Sequence, residues 1–416
     1  MNDWRRTARV SIACAFAALL PGAANGQVLT ESEAIARALA ENPRLRAVRA
    51  RPAQVAAEQQ VRRPAPNPFV SFQQERAGGI RDRFFLIEQE LPVSGRLGVL
   101  EQAGTAAIAV AELRVRQAEF DTRQDTRAAF TQFAAAQVRL EDLSKTVALI
   151  EKLAARLGER EGAGDGSKFD RLRAEREVAE LRAEQRIAEA NLATARASLA
   201  ALMGMAGAPP LIAAGSVVSG MVASAQPWPA LDVALATARS KRADFLAADA
   251  EVRRLEFDRE AATRVGRPHP ILGGGWKSTA AGAGSVNGYA FSAGITLPLF
   301  NRGEAAVAAA DSAVAAARAE REALAIEIEQ EVRGTHARAT RLLALVDEYE
   351  REALDRSREL VRIAELAYDE GELGILELLD AHRSLVNAEL RAIDFRAEAR
   401  LASIRFDRAV GEEVPR

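Results

Sequence analysis

Cysteine is almost missing from this sequence: the single residue, Cys14, sits inside an apolar run at the N-terminus. Beyond it there is no partner for a disulfide and no thiolate set for a metal. Histidine is nearly as scarce. His269, His336 and His382 are far apart, show no metal-ligand spacing and read as surface or tip residues, so no metal site is expected. An excess of charge of one sign is lacking too. The 56 Lys and Arg residues against 58 Asp and Glu leave a net charge of −2, which argues against a general nucleic-acid surface. After the N-terminal run, no segment has about 18 consecutive apolar residues, so no transmembrane helix is expected. No phosphate-binding loop, dinucleotide fingerprint or nucleophile–base constellation is found. Gly273-Gly274-Gly275 precedes Lys277-Ser278 without the phosphate-loop spacing. No catalytic residue and no cofactor is therefore expected.

What the sequence has is a leader and a great deal of helix. Arg5, Arg6 and Arg9 precede an apolar run from Val10 to Leu20, and Ala24-Asn25-Gly26 has the small residues of a cleavage site. Residues 1–26 read as a secretory signal with the mature chain starting near Gln27. Lipidation at Cys14 and twin-arginine export at Arg5-Arg6 are the weaker readings, because the apolar run continues past Cys14 and the flanks of the arginine pair fit poorly. The remaining chain is rich in Ala, Glu, Arg and Leu, a mixture typical of long helices.

One unit is written twice. Ala34-Ile35-Ala36-Arg37-Ala38 is matched by Ala234-Leu235-Ala236-Thr237-Ala238 at a shift of 200. Glu90-Leu91-Pro92 is matched by Thr296-Leu297-Pro298 at 206, and Asp170-Arg171-Leu172-Arg173-Ala174 by Glu377-Leu378-Leu379-Asp380-Ala381 at 207. The constant order and slow drift are those of an ancient duplication. The first unit spans 27–205, a Gly/Ala/Ser/Pro-rich connector 206–228, and the second unit 229–416. Each unit begins with a helix (Leu29 to Arg63; Pro229 to Val265) and continues with a hairpin. A very long helix follows (Leu97 to Arg160; Gly303 to Leu366), then a glycine-bearing turn and a returning helix (Ser167 to Met203; Gly374 to Val410). Apolar residues recur at helical spacing, as at Leu140, Leu143, Val147, Ile150 and Leu153. A 64-residue helix is roughly 95 Å long, and the two shorter helices of each unit together match it as a strut.

The hairpins, about 67–91 and 269–297, separate this chain from an ordinary coiled coil. Tyr289, Phe291, Ala293, Ile295 and Leu297 share one face of a strand, with Ala290, Ser292, Gly294 and Thr296 on the other. Nine residues suit a tilted strand crossing a bilayer. Its partner, His269 to Thr279, carries Trp276 where an interfacial aromatic would sit. In the first unit the strands are Phe69 to Glu75 and Phe84 to Leu91, with Phe85, Ile87 and Leu91 sharing a face with Gln89. A half-buried soluble hairpin remains the alternative there. Four strands cannot close a barrel, and an open edge in lipid strands backbone groups, so membrane strands demand several copies of the chain.

With these features the sequence resembles the outer-membrane factor family, the TolC-like efflux ducts, over essentially the whole mature chain. The residues that carry the resemblance are the duplication and the Leu-Pro runs ending at Arg96 and Arg302. Tyr368-Asp369-Glu370-Gly371 followed by Glu377-Leu378-Leu379-Asp380-Ala381 adds to it. The resemblance implies a mainly α fold with a membrane β-barrel, each protomer of a homotrimer giving four strands to a 12-stranded barrel in the outer membrane above a helical tunnel through the periplasm. It also implies a periplasmic adaptor (membrane fusion protein) and an inner-membrane RND-type pump as partners, outer-membrane lipid around the barrel, and a passive, non-enzymatic role. By position Glu377 and Asp380 match an acidic ring at the periplasmic constriction, and Tyr368 a latch residue with Asp170 as its candidate acceptor. Gly164, Gly371 and Gly374 fall in the helical turns. Leu373 stands where relatives often carry a basic residue, so the latch is built differently here. The lipid-facing set is Tyr289, Phe291, Ile295, Leu297, Phe85 and Ile87. The run Leu297 to Arg302 looks most like heavy-metal (CzcC-like) ducts, which makes metal cations the expected cargo. Drug or small-molecule efflux and type I protein secretion are the alternatives within the family, and a soluble periplasmic adaptor or scaffold is the alternative outside it.

Overall fold

The computed structural model describes residues 27–62, 65–207, 211–213, 229–300 and 302–413. The expected leader, with Cys14, and most of the 206–228 connector lie outside these residues. The chain is mainly helical with one four-stranded antiparallel sheet, the architecture expected from the sequence. Its first half runs β1 (Gln27–Leu29), α1 (Glu31–Glu41), α2 (Pro43–Arg49), α3 (Arg51–Val61), β2 (Phe69–Ala77), β3 (Ile80–Glu90), α4 (Arg96–Gly162) and α5 (Lys168–Leu202). After β4 (Leu211–Ala213) come α6 (Leu231–Lys241), α7 (Ala243–Thr263), β5 (His269–Ala281), β6 (Gly284–Thr296) and α8 (Glu304–Tyr349). A π-helical turn over Glu350–Leu354 leads into α9 (Asp355–Asp369), and α10 (Ile375–Val410) closes the chain.

The 67-residue α4 is about 100 Å long. The shorter helices line it as a strut: Arg49 pairs with Glu119 and Arg127 with Glu31 towards one end, while Arg182 pairs with Glu151 and Arg171 with Glu161 towards the other. The second half repeats this along α8 and α9, through Arg239–Glu329, Arg321–Asp249 and Arg259–Asp311 on one stretch and Arg338–Glu398 and Arg396–Glu350 on the other.

The opening helix of each half is not continuous, contrary to the sequence expectation. Pro43 excludes the helical region at Asn42, whose backbone is extended and whose Oδ1 accepts from the Arg44 and Leu45 amides, so it ends α1 and caps α2. Pro52 restarts the chain as α3 after Ala50. In the second half Arg242 takes the same extended place between α6 and α7. The long second-half helix is likewise interrupted, by the π turn, where Leu354 packs on Leu385, Ala388 and Ala392. A further difference is a short parallel pairing of β1 with β4, which places Leu29 and Leu211 in a core with Phe130, Phe133, Leu199 and Met203. Residues 27–29 therefore precede the first helix as a strand, and 211–213 are a strand within the expected connector.

The two halves are tied together where α4 meets α10. Arg127 donates to Asp407 at 2.9 Å, Arg139 to Asp394 at 3.1 Å, and Arg400 pairs with Glu31. Asp407 is almost fully buried.

Candidate functional site

Two regions carry the sequence-derived site residues: the sheet and the helical tip at the far end of α4 and α9.

The sheet order is β2-β3-β5-β6, so each hairpin contributes an adjacent pair and the halves join through β3 and β5. Cross-strand partners share a face. Following the register, Phe72, Phe85, Trp276 and Tyr289 form one row across all four strands. The next row towards the helices is Val70, Ile87, Gly274 and Phe291, then Gln89, Leu272 and Ala293, then Pro270 and Ile295. On the hairpin side of the aromatic row the same face turns polar, with Gln74, Arg83, Ser278 and Asn287. Tyr289, Phe291, Ile295, Leu297, Phe85 and Ile87 are all exposed, and Tyr289 and Phe291 are almost fully so, at 87% and 89%. Gln89 is the one polar side chain in the apolar rows. Its amide is satisfied by the carbonyls of Pro66, at 2.8 Å, and Glu90.

The opposite face holds Gln73, Glu75, Asp82, Glu88, Lys277, Thr279 and Ser292. Ser292 Oγ donates to Glu88 at 2.9 Å, Thr279 donates to Asp82, and Lys277 Nζ lies 3.1 Å from Asp82. Gly275 lies on this face for a close approach: a Cβ there would come within 1.9 Å of the Phe85 carbonyl oxygen. From the aromatic row towards the helices one face is thus apolar, while the other is mixed and carries the carboxylates and Lys277 beside Phe84 and Leu86. Phe72, part of that border, was not singled out from the sequence because it sits among Gln and Ser, and only the cross-strand register brings it into the row.

At the tip both helical turns close by the same device. Gly164, at φ +89°, and Gly371, at φ +77°, take the left-handed conformation that a β-carbon disfavours. The Asp165 amide donates to Arg160 O and the Gly164 amide to Glu161 O; the Glu372 and Gly371 amides do the same to Ala367 O and Tyr368 O. Gly374 differs. Its φ is −82° and it serves as the N-cap of α10, the place Ser167 holds before α5. Tyr368 is half-buried against the apolar cluster of Leu143, Ile150, Val178 and Leu378, and within the chain it makes no hydrogen bond to Asp170. Asp170 lies in the first turn of α5, where its charge meets the positive end of the helix dipole.

Glu377 and Asp380 are exposed. They line a groove of about 390 Å³ between α5 and α10 together with Arg173, Arg176, Glu177 and Arg383. Arg383 reaches Glu180 at 3.5 Å and Glu177 at 3.9 Å, and Arg176 reaches Glu180 at 3.5 Å. The groove is therefore charge-balanced rather than acidic. Arg173 was missed in the sequence reading, although the shift of 207 aligns it with Asp380. Beside the groove His382 is buried between α9 and α10, with Nε2 3.4 Å from Glu365. Burial holds its pKa below the ordinary histidine value, and the Glu365 carboxylate partly offsets this. His336 Nε2 donates to Pro229 O, 3.1 Å away, and the ring stacks edge-on against Phe406. Among the described residues no cluster of three or more metal-ligating side chains exists, and no helix is long and apolar enough to cross a membrane.

Residues 230–412 match the family model of outer membrane efflux proteins. No curated protein matches the sequence. Among solved structures, a membrane protein from Pseudomonas aeruginosa is similar with a TM-score of 0.74 at 23% identity, covering 92% of this chain and 93% of that one. CusC is similar with a TM-score of 0.75 at 18% identity, covering 92% of each chain. The open-state MtrE outer membrane channel of Neisseria gonorrhoeae gives 0.73 at 20%, covering 92% of this chain and 89% of that one. These likenesses establish the fold.

Proposed function

We propose that this chain is the outer-membrane exit duct of a tripartite efflux system, working as a homotrimer with a periplasmic adaptor and an inner-membrane RND-type pump. The observation that carries the reading is the sheet: four strands with one apolar face and with the carboxylates and Lys277 on the other, mounted on helices about 100 Å long. A bilayer accepts strands only when every backbone group is paired, and here β2 and β6 are free edges. Closure therefore takes other copies. Two copies would give eight strands, a barrel whose interior side chains fill. Three copies give twelve, the smallest closure by whole protomers that leaves a passage, and the carboxylate-bearing face lines it. The match of residues 230–412 to the efflux family supports the same reading.

In this arrangement Tyr289, Phe291, Ile295, Leu297, Phe85 and Ile87 face lipid, and the row of Phe72, Phe85, Trp276 and Tyr289 is the aromatic girdle at the outer interface. The helices carry the tunnel across the periplasm. The tip is the constriction, with Glu377 and Asp380 at its edge and Tyr368 and Asp170 as latch residues. Transport through such a duct needs no reacting group in the chain. We assign heavy-metal cations as cargo on the exposed Glu377 and Asp380 and on the run Leu297 to Arg302. One observation favours a second reading, small-molecule efflux: Arg173, Arg176 and Arg383 share the groove with those carboxylates, which suits a cargo of either charge.

The test is cell fractionation followed by mass measurement in mild detergent. The duct fractionates with outer membranes and runs as a trimer, and a monomer in the soluble periplasm overturns the reading.

A further inference from the structure

Below the apolar rows, each half passes from sheet to helix through an elbow, and the two elbows have a common construction. Leu91-Pro92-Val93 closes with the Val93 amide donating to Leu91 O at 2.8 Å, and Leu297-Pro298-Leu299 with the Leu299 amide donating to Leu297 O at 2.9 Å. Each elbow ends in an αL glycine that starts the long helix, Gly95 or Gly303. Arginines from the α7–β5 connection fasten the first elbow: Arg264 Nη1 donates to Gly95 O at 2.7 Å and Arg267 Nη1 to Ser94 O at 2.8 Å.

These held loops display apolar side chains. Val93 and Leu299 are each 64% exposed and Phe300 is completely exposed. They continue the band that Ile295 and Leu297 end. A cation stands beside each set: Arg96 and Arg302 are exposed, and neither has a carboxylate partner among the described residues. The stretches 91–96 and 297–302 contain no acidic residue. Apolar side chains with unpaired arginines at the edge of an apolar band are the chemistry of a headgroup boundary, where the ring enters the acyl region and the guanidinium meets phosphate.

We propose that the two elbows form an anchoring collar on the periplasmic leaflet of the membrane. Val93, Leu299 and Phe300 enter the acyl–headgroup boundary, and Arg96 and Arg302 bind phosphate oxygens of its phospholipids. The proposal rests on reading the sheet as membrane-embedded. Continuity with the lipid-facing rows and the cationic flanks favour lipid over a second copy of the chain as the occupant. The collar fixes the height of the barrel in the bilayer.

The test uses the full chain as the purified oligomer, with single nitroxide labels at Phe300→Cys and, separately, at Phe291→Cys. The label sites are placed in vesicles of phosphatidylethanolamine and phosphatidylglycerol, and collision with oxygen is compared with collision with a water-soluble nickel chelate. The expected result is oxygen-dominated collision at both positions, with residue 300 shallower. Oxygen dominance at 291 with nickel dominance at 300, or with a label at 300 immobilised against another copy, overturns the collar alone. Nickel dominance at both positions overturns the membrane reading beneath it. For the arginines, binding of the oligomer's Arg96→Gln/Arg302→Gln variant to phosphatidylglycerol is measured by native mass spectrometry. A loss of about fivefold per arginine is expected, and unchanged lipid retention overturns their role.

Discussion

An arginine placed along β6 should report depth and face separately. Between Tyr289 and Leu297 there are eight residue steps, about 27 Å at 3.4 Å per residue. At a tilt of about 40° this is about 21 Å of height, close to the apolar band of about 25 Å in known barrels. Ala293 lies halfway, Phe291 nearer the aromatic border, and Tyr289 on it. Arginine facing lipid costs about 2–4 kcal/mol at the midplane and about 0–1 kcal/mol near an interface. Ala293→Arg in three copies then costs about 6–12 kcal/mol per trimer, of the order of a whole domain's stability. Tyr289→Arg costs about 0–3 kcal/mol per trimer, and Phe291→Arg falls between. Ala290→Arg is the control: it sits between Tyr289 and Phe291 in sequence but on the carboxylate-bearing face, opposite Gly275. The assay is the yield of heat-modifiable trimer in the outer-membrane fraction, together with urea titration of protein refolded into vesicles. Loss should rank 293 above 291 above 289, with 290 near wild type. A flat profile, or damage at 290 equal to that at 291, would refute the assignment of faces.

The joint between halves makes a second prediction. Asp407→Ala removes the nearest partner of the poorly exposed Arg127, which keeps Glu31 at 3.3 Å and Glu413 at 3.9 Å, and should lose about 1–3 kcal/mol. Over an unfolding entropy of about 2.1 cal/mol/K per residue this is a fall of about 1–3 °C in thermal midpoint, whereas the apolar pair Arg127→Met/Asp407→Leu should stay near wild type by differential scanning calorimetry. At the tip, His382 has a pKa held below its ordinary value of 6.5, so the unfolded chain takes up the proton first as pH falls. Stability is therefore full above about pH 6.5 and declines below it until the folded-state pKa is passed; His382→Gln should remove that slope from a pH series of thermal midpoints. Arg173→Ala should leave the tip groove with an excess of carboxylate and raise cation-over-anion permeability, by at most about fivefold if the effect is that of a unit charge worth about 1 kcal/mol. Glu377→Gln with Asp380→Asn should lower it. Reversal potentials in a salt gradient measure both, and no change in either shows that these side chains face away from the pore.

How far the sequence revealed the fold depended on whether a pattern was long enough to be periodic. The long helices and returning helices show many turns of apolar spacing, and their ends fall within a few residues of those expected. β6 is legible from Tyr289 onward, but its first residues, Gly284-Ser285-Val286-Asn287-Gly288, have no alternation and are strand only because β5 pairs with them. The breaks at Asn42-Pro43 and Arg51-Pro52 were written in the sequence, and helical periodicity on either side obscured them. β1 and β4, three residues each, are too short for any period. The π turn at Glu350–Leu354 has no composition signal, and Leu354 packing against α10 is its visible correlate. At the tip, the family resemblance led to Glu377 and Asp380, while the internal repeat held Arg173 and Arg176 on α5. That these arginines share the groove depends on the packing of α5 against α10, which one helix's sequence does not contain.

The joints in the two struts indicate what this architecture constrains. In the first half, the Asn42 side chain donates to Leu202 O at 3.0 Å, at the end of α5. In the second half, the Arg242 side chain donates to Ala409 O at 3.1 Å, near the end of α10. The donors are 200 residues apart and the acceptors 207, so the same contact is made by equivalent places in the two halves. The chemistry has nonetheless changed. A neutral amide that also caps the following helix is replaced by a buried guanidinium, whose charge is met by Asp244 at 2.7 Å and by Glu331 at 2.5 Å. Two such different side chains serve because what the joint must fix is where the opening helices meet the end of the returning helix. That meeting sets the length of each strut and with it the distance from sheet to tip. A joint that fixes a span needs this geometry and tolerates many residues that provide it. Solved structures sharing 18–23% of residues accordingly superpose over nine-tenths of the chain.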